Sequence, residues 1–449
     1  MNAKHQLTEY GHLSSKLLCS KLSDLCVDKI GVQTGPFGSQ LHKEDYVEIG
    51  TPIITVEHLG NNRISHIETP FVADEDKKRL SKYQLKNGDI VFSRVGSVDR
   101  RALVRKEEDG WLFSGRCLRV RVDETKIDPI YLSYFFGLES FKKYIRSIAV
   151  GATMPSINTK ILSDIPIYYP ESLEEQRRIA HILIINDEKE NINNQTNQTL
   201  EEMAQAIFKS WFVDFEPVKA KMNGEQPEGM DATTASFFPE KLVESELGLI
   251  PEGWDVKPFK KVIDKYVDNR GKTPPIVENG IPLVEVKHLP ENSAFPKLNT
   301  DKRVTKDTFK TWFRVHVEPK DVLISTVGTI GRTSFVKNTN FCIAQNVLGL
   351  RFGKIVEPEY MFYTIKAHRF QHDMDARLVT TVQSSIKRKD LDTIDILVPP
   401  SNVQKEFCKL VGSLLDGQYS KNAENIDLAS LRDTLLPKLL SGEIELEVR

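Results

Sequence analysis

The sequence predicts an α+β chain: two similar mixed α/β domains joined by two long antiparallel coiled-coil helices, the whole a pseudo-twofold internal repeat. Three observations predict it. Motifs return in one order at an offset near ~230 residues, far longer than the roughly 20–50 residues of a solenoid repeat. Each half lays out short strands before one long helix. Each helix carries an apolar stripe too narrow to stand alone in water.

The repeat is visible in the residues. Gly50-Thr-Pro-Ile-Ile-Thr-Val-Glu-His-Leu59 returns as Gly280-Ile-Pro-Leu-Val-Glu-Val-Lys-His-Leu289. Asn87-Gly-Asp-Ile-Val-Phe-Ser-Arg-Val-Gly-Ser97 returns as Pro319-Lys-Asp-Val-Leu-Ile-Ser-Thr-Val-Gly-Thr329, and Ile165-Pro-Ile-Tyr-Tyr-Pro170 as Ile394-Asp-Ile-Leu-Val-Pro399. The division this implies is a first domain at 1–170, a long helix at 171–215, a linker at 216–253, a second domain at 254–400, and a second helix with its tail at 401–449.

Within the domains, runs at 53–56, 89–92 and 117–122 are rich in β-branched and aromatic residues and bounded by turn formers. Their counterparts fall at 283–286, 321–325 and 347–352. Asp128-Pro129 and Glu357-Pro358 each place a carboxylate before proline, which marks a helix start. After Pro170, Ser172 and Glu175 have the spacing of a capping box, and no proline or glycine follows until past Val213. Apolar residues recur at Ile179, Leu183, Leu200, Met203, Ile207 and Trp211, with an asparagine- and glutamine-rich middle that looks weak as a seam. The second helix has Val403, Phe407, Leu410, Leu414, Leu428, Leu431 and Leu435, and Pro437 should stop or kink it near its end. Pro217, Gly224, Pro227, Gly229, Pro239, Gly248 and Pro251 punctuate the linker.

Composition excludes several classes. The 449 residues are 40% hydrophobic and 28% charged with a net charge of −2, which is neither a disordered chain nor a globally basic or DNA-mimicking one. Cys19, Cys26, Cys117, Cys342 and Cys408 show no C-x-x-C spacing and are expected to be buried thiols in a reducing, cytoplasmic protein. No apolar run approaches the ~18 residues of a membrane span. No enzyme signature is found. Gly271-Lys272-Thr273 resembles the end of a phosphate loop, but Tyr266 stands where its first glycine is required. No histidine or cysteine group has metal-ligand spacing, so no catalytic residue, cofactor or metal is expected on this chain.

Polar loops recur in both halves. The first follows the second strand: Ser93, Arg94, Ser97, Arg100 and Arg101 around Gly96, against Thr326, Thr329 and Arg332 around Gly328. Glycine admits close backbone approach, while hydroxyls and guanidiniums suit phosphate oxygens and guanine edges; the plainer reading is a β-turn with solvated arginines. The second loop precedes the last strand: Thr153, Ser156, Asn158 and Lys160, against Thr381, Gln383, Ser384 and Lys387. Amides there can pair with adenine or merely cap a helix. The third lies near each domain's start, with Gln40 in one half and Arg270 and Lys272 in the other. His58 and His288 occupy equivalent positions, and a strand-end histidine satisfied by backbone is favoured over a base contact. The first long helix is acidic and is not a phosphate-binding rod.

Two segments carry a family resemblance: Glu175-Gln-Arg-Arg-Ile-Ala-His-Ile-Leu183, and Leu200-Glu-Glu-Met-Ala-Gln-Ala-Ile-Phe-Lys-Ser-Trp-Phe-Val-Asp-Phe-Glu-Pro-Val-Lys219. With the ending Leu435-Leu-Pro-Lys-Leu-Leu-Ser-Gly-Glu-Ile444, they resemble the specificity (S) subunits of Type I restriction–modification systems. The first domain departs by lacking an entry like Gly253-Trp254, and the second helix has Gln404-Lys-Glu in place of Gln-Arg-Arg. The resemblance implies a non-catalytic subunit whose two target recognition domains each read half of a bipartite double-stranded DNA site. It implies that the helices set the spacer and dock two modification (M) subunits, through residues such as Arg177, Arg178, Met203, Ile207, Phe208, Trp211 and Phe212. Restriction (R) subunits would join them, with S-adenosylmethionine and ATP held by the partners. A fused methyltransferase or nuclease would need a catalytic loop that is not found. A coiled-coil scaffold without DNA recognition would leave the duplicated loops unexplained.

Overall fold

A computed structural model describes residues 5–28, 31–36, 40–269, 273–378, 384–444 and 446. The chain divides into two compact units, Met1–Glu190 with Ile426–Arg449, and Asn191–Asn425. Each holds one α/β domain together with part of each long helix.

In the first unit, β-branched and aromatic residues alternate across a central sheet ordered Val32–Thr34, Cys117–Val120, Ile90–Ser93, Arg101–Leu103 and Asn61–Asn62. A second sheet orders Leu112–Phe113, Thr51–Ile54, Phe71–Val72 and Tyr46–Val47. In the second unit the central sheet runs Lys265–Asp268, Val347–Arg351, Val322–Ser325, Thr333–Phe335, beside a sheet of Arg303–Val304, Ile281–Val284 and Cys342–Ile343. The expected strands are therefore present, with small shifts. The first ends at Ile54 because Val56–His58 forms a single 3-10 turn, whose Thr55 N–H donates to His58 Nδ1 at 3.0 Å. Glu285 and His288 repeat that bond at 3.0 Å, so both histidines are satisfied by backbone.

Two buried devices are duplicated to the atom. Asp89 accepts from Arg121 Nε and Nη2 at 2.7 and 2.6 Å and from the Lys86 N–H at 2.7 Å. Asp321 accepts from Arg351 Nε and Nη2 at 2.8 and 2.9 Å and from the Glu318 N–H at 2.7 Å. Gln176 donates to Pro170 O at 2.7 Å and accepts from the Asp128 N–H at 2.8 Å; Gln404 does the same with Pro399 and Glu357 at 2.7 and 2.8 Å. Each glutamine ties the first turn of a long helix to the start of the proline-led helix, Pro129–Phe135 or Pro358–Lys366.

The long helices span Leu173–Phe212 and Ser401–Leu440. Within each unit the two run antiparallel. In the first, Ile179 and Leu183 share a core with Leu439 and Leu440, and Asn186 donates to Leu428 O at 2.9 Å. In the second, Asn193 meets Asn425 and Asn197 meets Asn422, each at 2.9 Å, and Phe208 packs on Phe407. The asparagine-rich middle is thus a polar seam between the helices, and Asn193 is fully buried there. Pro437 neither stops nor ends the second helix. It sits in the last turn, and burial of Leu439 and Leu440 holds that turn in place despite the missing N–H.

The segment expected to be a linker carries its own structure: helices Glu216–Met222 and Ala232–Ser236, then a hairpin of Leu242–Ser245 with Gly248–Pro251. Phe215 leaves the first long helix in the left-handed region at φ 55°, which turns the chain out of that helix. The hairpin has a partner that the sequence comparison missed. His5–Thr8 pairs with Gly11–Ser14, and both turns use one device. Thr8 Oγ1 donates to Gly11 O at 2.8 Å, and Ser245 Oγ to Gly248 O at 2.7 Å. The first domain therefore has an opening hairpin of its own. Of the cysteines, Cys26, Cys117 and Cys342 are buried, their thiols pushed up to about 12 by desolvation, but Cys19 is exposed and Cys408 only half-buried.

Candidate nucleic-acid interface

The central strand of each unit delivers its chain to one end of the sheet, where separate loops are bolted together through their backbones. In the first unit the Arg94 N–H donates to Arg116 O at 2.8 Å, the Gly96 N–H to Pro155 O at 2.8 Å, and the Ile157 N–H to Arg94 O at 2.9 Å. In the second, the Thr326 N–H donates to Asn346 O at 3.0 Å, the Gly328 N–H to Ser384 O at 3.0 Å, and the Ile386 N–H to Thr326 O at 3.0 Å. Gly96 and Gly328 adopt φ of 79° and 82°, which side chains disfavour, so glycine is required where the two loops cross. The opening loops reach the same end. The Gly35 N–H donates to Cys117 O at 3.2 Å, and Asn269 Nδ2 to Ile343 O at 2.9 Å.

This frame brings most of the candidate residues together. Ser97, Arg100, Thr153, Asn158 and Lys160 are exposed on it. Arg100 donates to Leu59 O, and Asn158 caps the helix Thr159–Ser163 by accepting from the Ile161 N–H at 2.8 Å. Arg94 is half-buried with Nη1 3.4 Å from Gly115 O, and Ser156 donates to Val150 O at 3.1 Å. In the second unit Thr329 and Lys387 are exposed, and Thr326 and Ser384 half-buried. Arg332 is also half-buried, paired with Glu291 at 2.8 Å. Arg270, Lys272, Thr381 and Gln383 lie outside the described residues.

Three candidates are placed otherwise. Ser93 is fully buried, its Oγ donating to Val95 O at 2.9 Å, so it shapes the turn and cannot meet a ligand; Ser325 Oγ shapes the other turn by donating to Thr329 O at 2.6 Å. Arg101 is 4% exposed and donates to Ser133 O at 3.0 Å, because the strand that begins there points it inward. Burial lowers its guanidinium to about 10, against the pull of Asp187, so it stays charged at neutral pH as a core cation. Gln40 is tied instead to Arg79 and Tyr83, at 2.7 and 2.6 Å.

The expected docking residues also divide. Arg177 and Met203 are exposed and Arg178 and Ile207 half-buried, but Phe208, Trp211 and Phe212 fill the second unit's own core. Trp211 meets Phe238 edge-on at 5.3 Å, and Phe212 meets Phe407 at 5.0 Å and Tyr360 at 4.8 Å. These three rings are not offered to a partner.

The structure also adds a loop that the sequence reading passed over. Ser114-Gly-Arg-Cys117 and Ala344-Gln-Asn-Val347 enter equivalent strands and supply Arg116, Gln345 and Asn346 to the frame. Their matched position was the available signal, although no residue is shared. Arg388 lies beside them, its guanidinium 4.7 Å from the Tyr266 ring centre and 3.7 Å from Asp268. Among the described residues no group of His, Cys, Asp or Glu could hold a metal, and no helix is long and apolar enough to cross a membrane.

The family described as Type I restriction modification DNA specificity domain matches residues 20–202 and again 251–424. The chain belongs to that family. Each match spans one α/β domain and more than half of the helix that follows, which is the duplication seen in the fold. The specificity subunit of the HindI Type I restriction enzyme of Haemophilus influenzae is 26% identical over 435 residues, covering 86% of this chain and 92% of the relative. The MjaIX specificity subunit of Methanocaldococcus jannaschii is 26% identical over 404 residues, covering 88% and 87%. The crystal structure of a Type I restriction–modification S subunit from M. genitalium has this fold, with a TM-score of 0.56 at 16% identity over 98% of this chain and 99% of that one. The chain is a Type I specificity subunit for DNA recognition, a family of recognition rather than catalytic components.

Proposed function

We propose that each α/β domain reads one half of a bipartite double-stranded DNA target, that the long helices set the spacer between the half-sites, and that the helices dock two M subunits. One observation carries this reading: the same backbone frame is built twice and dressed with different side chains, Arg94 and Arg116 in one unit and Thr326 and Asn346 in the other. The loops are joined chiefly by backbone bonds, which leaves most side-chain identity free to specify bases. S-adenosylmethionine and ATP belong to the partner M and R subunits on this reading, and the assembly works in the cytoplasm.

Exchanging residues 20–170 for the first domain of another family member should change one half of the methylated target and leave the other intact. Methylome sequencing of cells carrying the hybrid reads this directly, and a change in both halves would sink modular recognition. A second measurement sorts positioning from reading. Lys387 is exposed on the frame of the second unit. Lys387→Ala should weaken binding to all sequences alike and reduce the slope of log affinity against log salt by about one unit. A loss confined to the cognate sequence would make Lys387 a base reader instead.

A further inference from the structure

The first unit has a cavity of about 360 Å³ at the end of the central sheet away from the recognition loops. Strand Cys117–Val120 enters at the loop frame, and Arg119 and Arg121 stand at its far end beside Asp89, which precedes the strand that ends at Ser93. The cavity is lined by Gln33, Lys82, Lys86, Arg119 and Arg121, with Asp109 among them. Arg119 is 1% exposed, one of the largest fully buried side chains of the protein. Asp89, the carboxylate that acts on it, also holds Arg121 in a bidentate pair. Lys82 and Lys86 are exposed at the rim. Gln33, directly across the strand pair from Arg119, has its Oε1 buried without a hydrogen-bond partner. Turning that amide about loses nothing there and aims its NH2 group inward.

The second unit shows that the fold does not need any of this. There Val267 and Gly349 occupy the positions of Gln33 and Arg119 in the matching strand pair, and Glu318 stands where Lys86 does. A Cβ on Gly349 would lie 2.8 Å from Val267 Cβ, so that space is closed by apolar packing. Burying a guanidinium costs desolvation that an apolar filling avoids, and one half of the chain uses the apolar filling. The other half keeps the cation, buried beside the cavity.

We infer that this cavity is a site for a phosphate group, held by Arg119 and the Gln33 amide at its floor and by Lys82 and Lys86 at its mouth. Arginine presents a fork that matches phosphate geometry, and the flexible lysines add charge at the rim. The group could belong to a free phosphate compound or to a DNA backbone. The position, at the sheet end opposite the loops, favours the free compound.

The test is isothermal titration of the full chain with inorganic phosphate and with ATP at constant ionic strength, since added salt alone screens exposed charge. Saturable binding is expected, weakened about tenfold or more in Lys82→Ala/Lys86→Ala, whose changes are confined to exposed side chains. Binding should vanish in Gln33→Val/Arg119→Gly, which imports the second unit's own pair; if that variant fails to fold, the lysine variant decides. Repeating the titration with duplex DNA present separates the sources. Retained phosphate binding assigns the site to a free compound, and competition assigns it to the DNA backbone. No saturable binding, or equal binding in wild type and the lysine variant, overturns the site. That failure would leave the reading of DNA by the loop frames untouched, because none of these residues lies on them.

Discussion

Trp211→Ala should cost the second unit about 3–5 kcal/mol, the loss typical of a buried aromatic truncated to a methyl group. The indole is 6% exposed and packs against Phe212, Phe238 and Phe407, which join the first long helix, the segment after it and the second long helix within that unit. Two compact units make global unfolding an unsafe measure, so hydrogen exchange resolved by segment is the measurement. Protection should fall along 322–351 and hold along 90–120. M-subunit association should weaken only as far as the unit loosens. Lost association with unchanged protection would mean that the ring is a docking contact after all, and that its burial is relieved in the assembly.

Asp89→Ala and Asp321→Ala should each destabilise one unit by about 3–5 kcal/mol, because each leaves a partly buried guanidinium without its bidentate partner. Both carboxylates are 1% exposed, while their arginines keep about a fifth of the side chain in contact with water. That contact places the expected cost toward the lower end of the range. Each carboxylate also accepts a backbone N–H, which closes the turn before its strand. Segment-resolved exchange should show the Asp89 variant opening its own unit alone and the Asp321 variant the other. Equal opening of both units by either substitution would contradict the two-unit division.

Much of this was legible in the chain itself, for identifiable reasons. The duplication exposed the strands and both long helices, since glycine and proline fix turns and helix starts through backbone geometry that survives divergence of the side chains. The opening hairpin was missed because its two copies share little beyond a hydroxyl, a glutamate and a glycine, Thr8, Glu9 and Gly11 against Ser245, Glu246 and Gly248. The asparagine middle looked weak because polarity reads as exposure, whereas Asn193 and Asn197 donate across to Asn425 and Asn422 between the helices. At the candidate interface, loop positions were readable but side-chain directions were not. Ser93 and Arg101 have the right chemistry and face inward, while Arg116 and Asn346 join the frame through their backbone carbonyls without any motif to announce them. Phe208, Trp211 and Phe212 fill the core, a role that a sequence cannot distinguish from docking to a partner.

The way the second helix finishes the first unit bears on the order in which the protein is made. Ile179 and Leu183 share their core with Leu439 and Leu440, and the Ser14 N–H donates to Ser441 O at 2.8 Å. A ribosome delivers the whole of Asn191–Asn425 before it delivers those leucines. The amino-terminal unit, though synthesised first, must therefore wait with part of its apolar face open while the unit behind it closes. Domains usually complete in the order of synthesis. Here the order is reversed, and a chain truncated after residue 425 and released should expose the face around Ile179 and Leu183 to chaperones while its second domain is already protected from proteolysis.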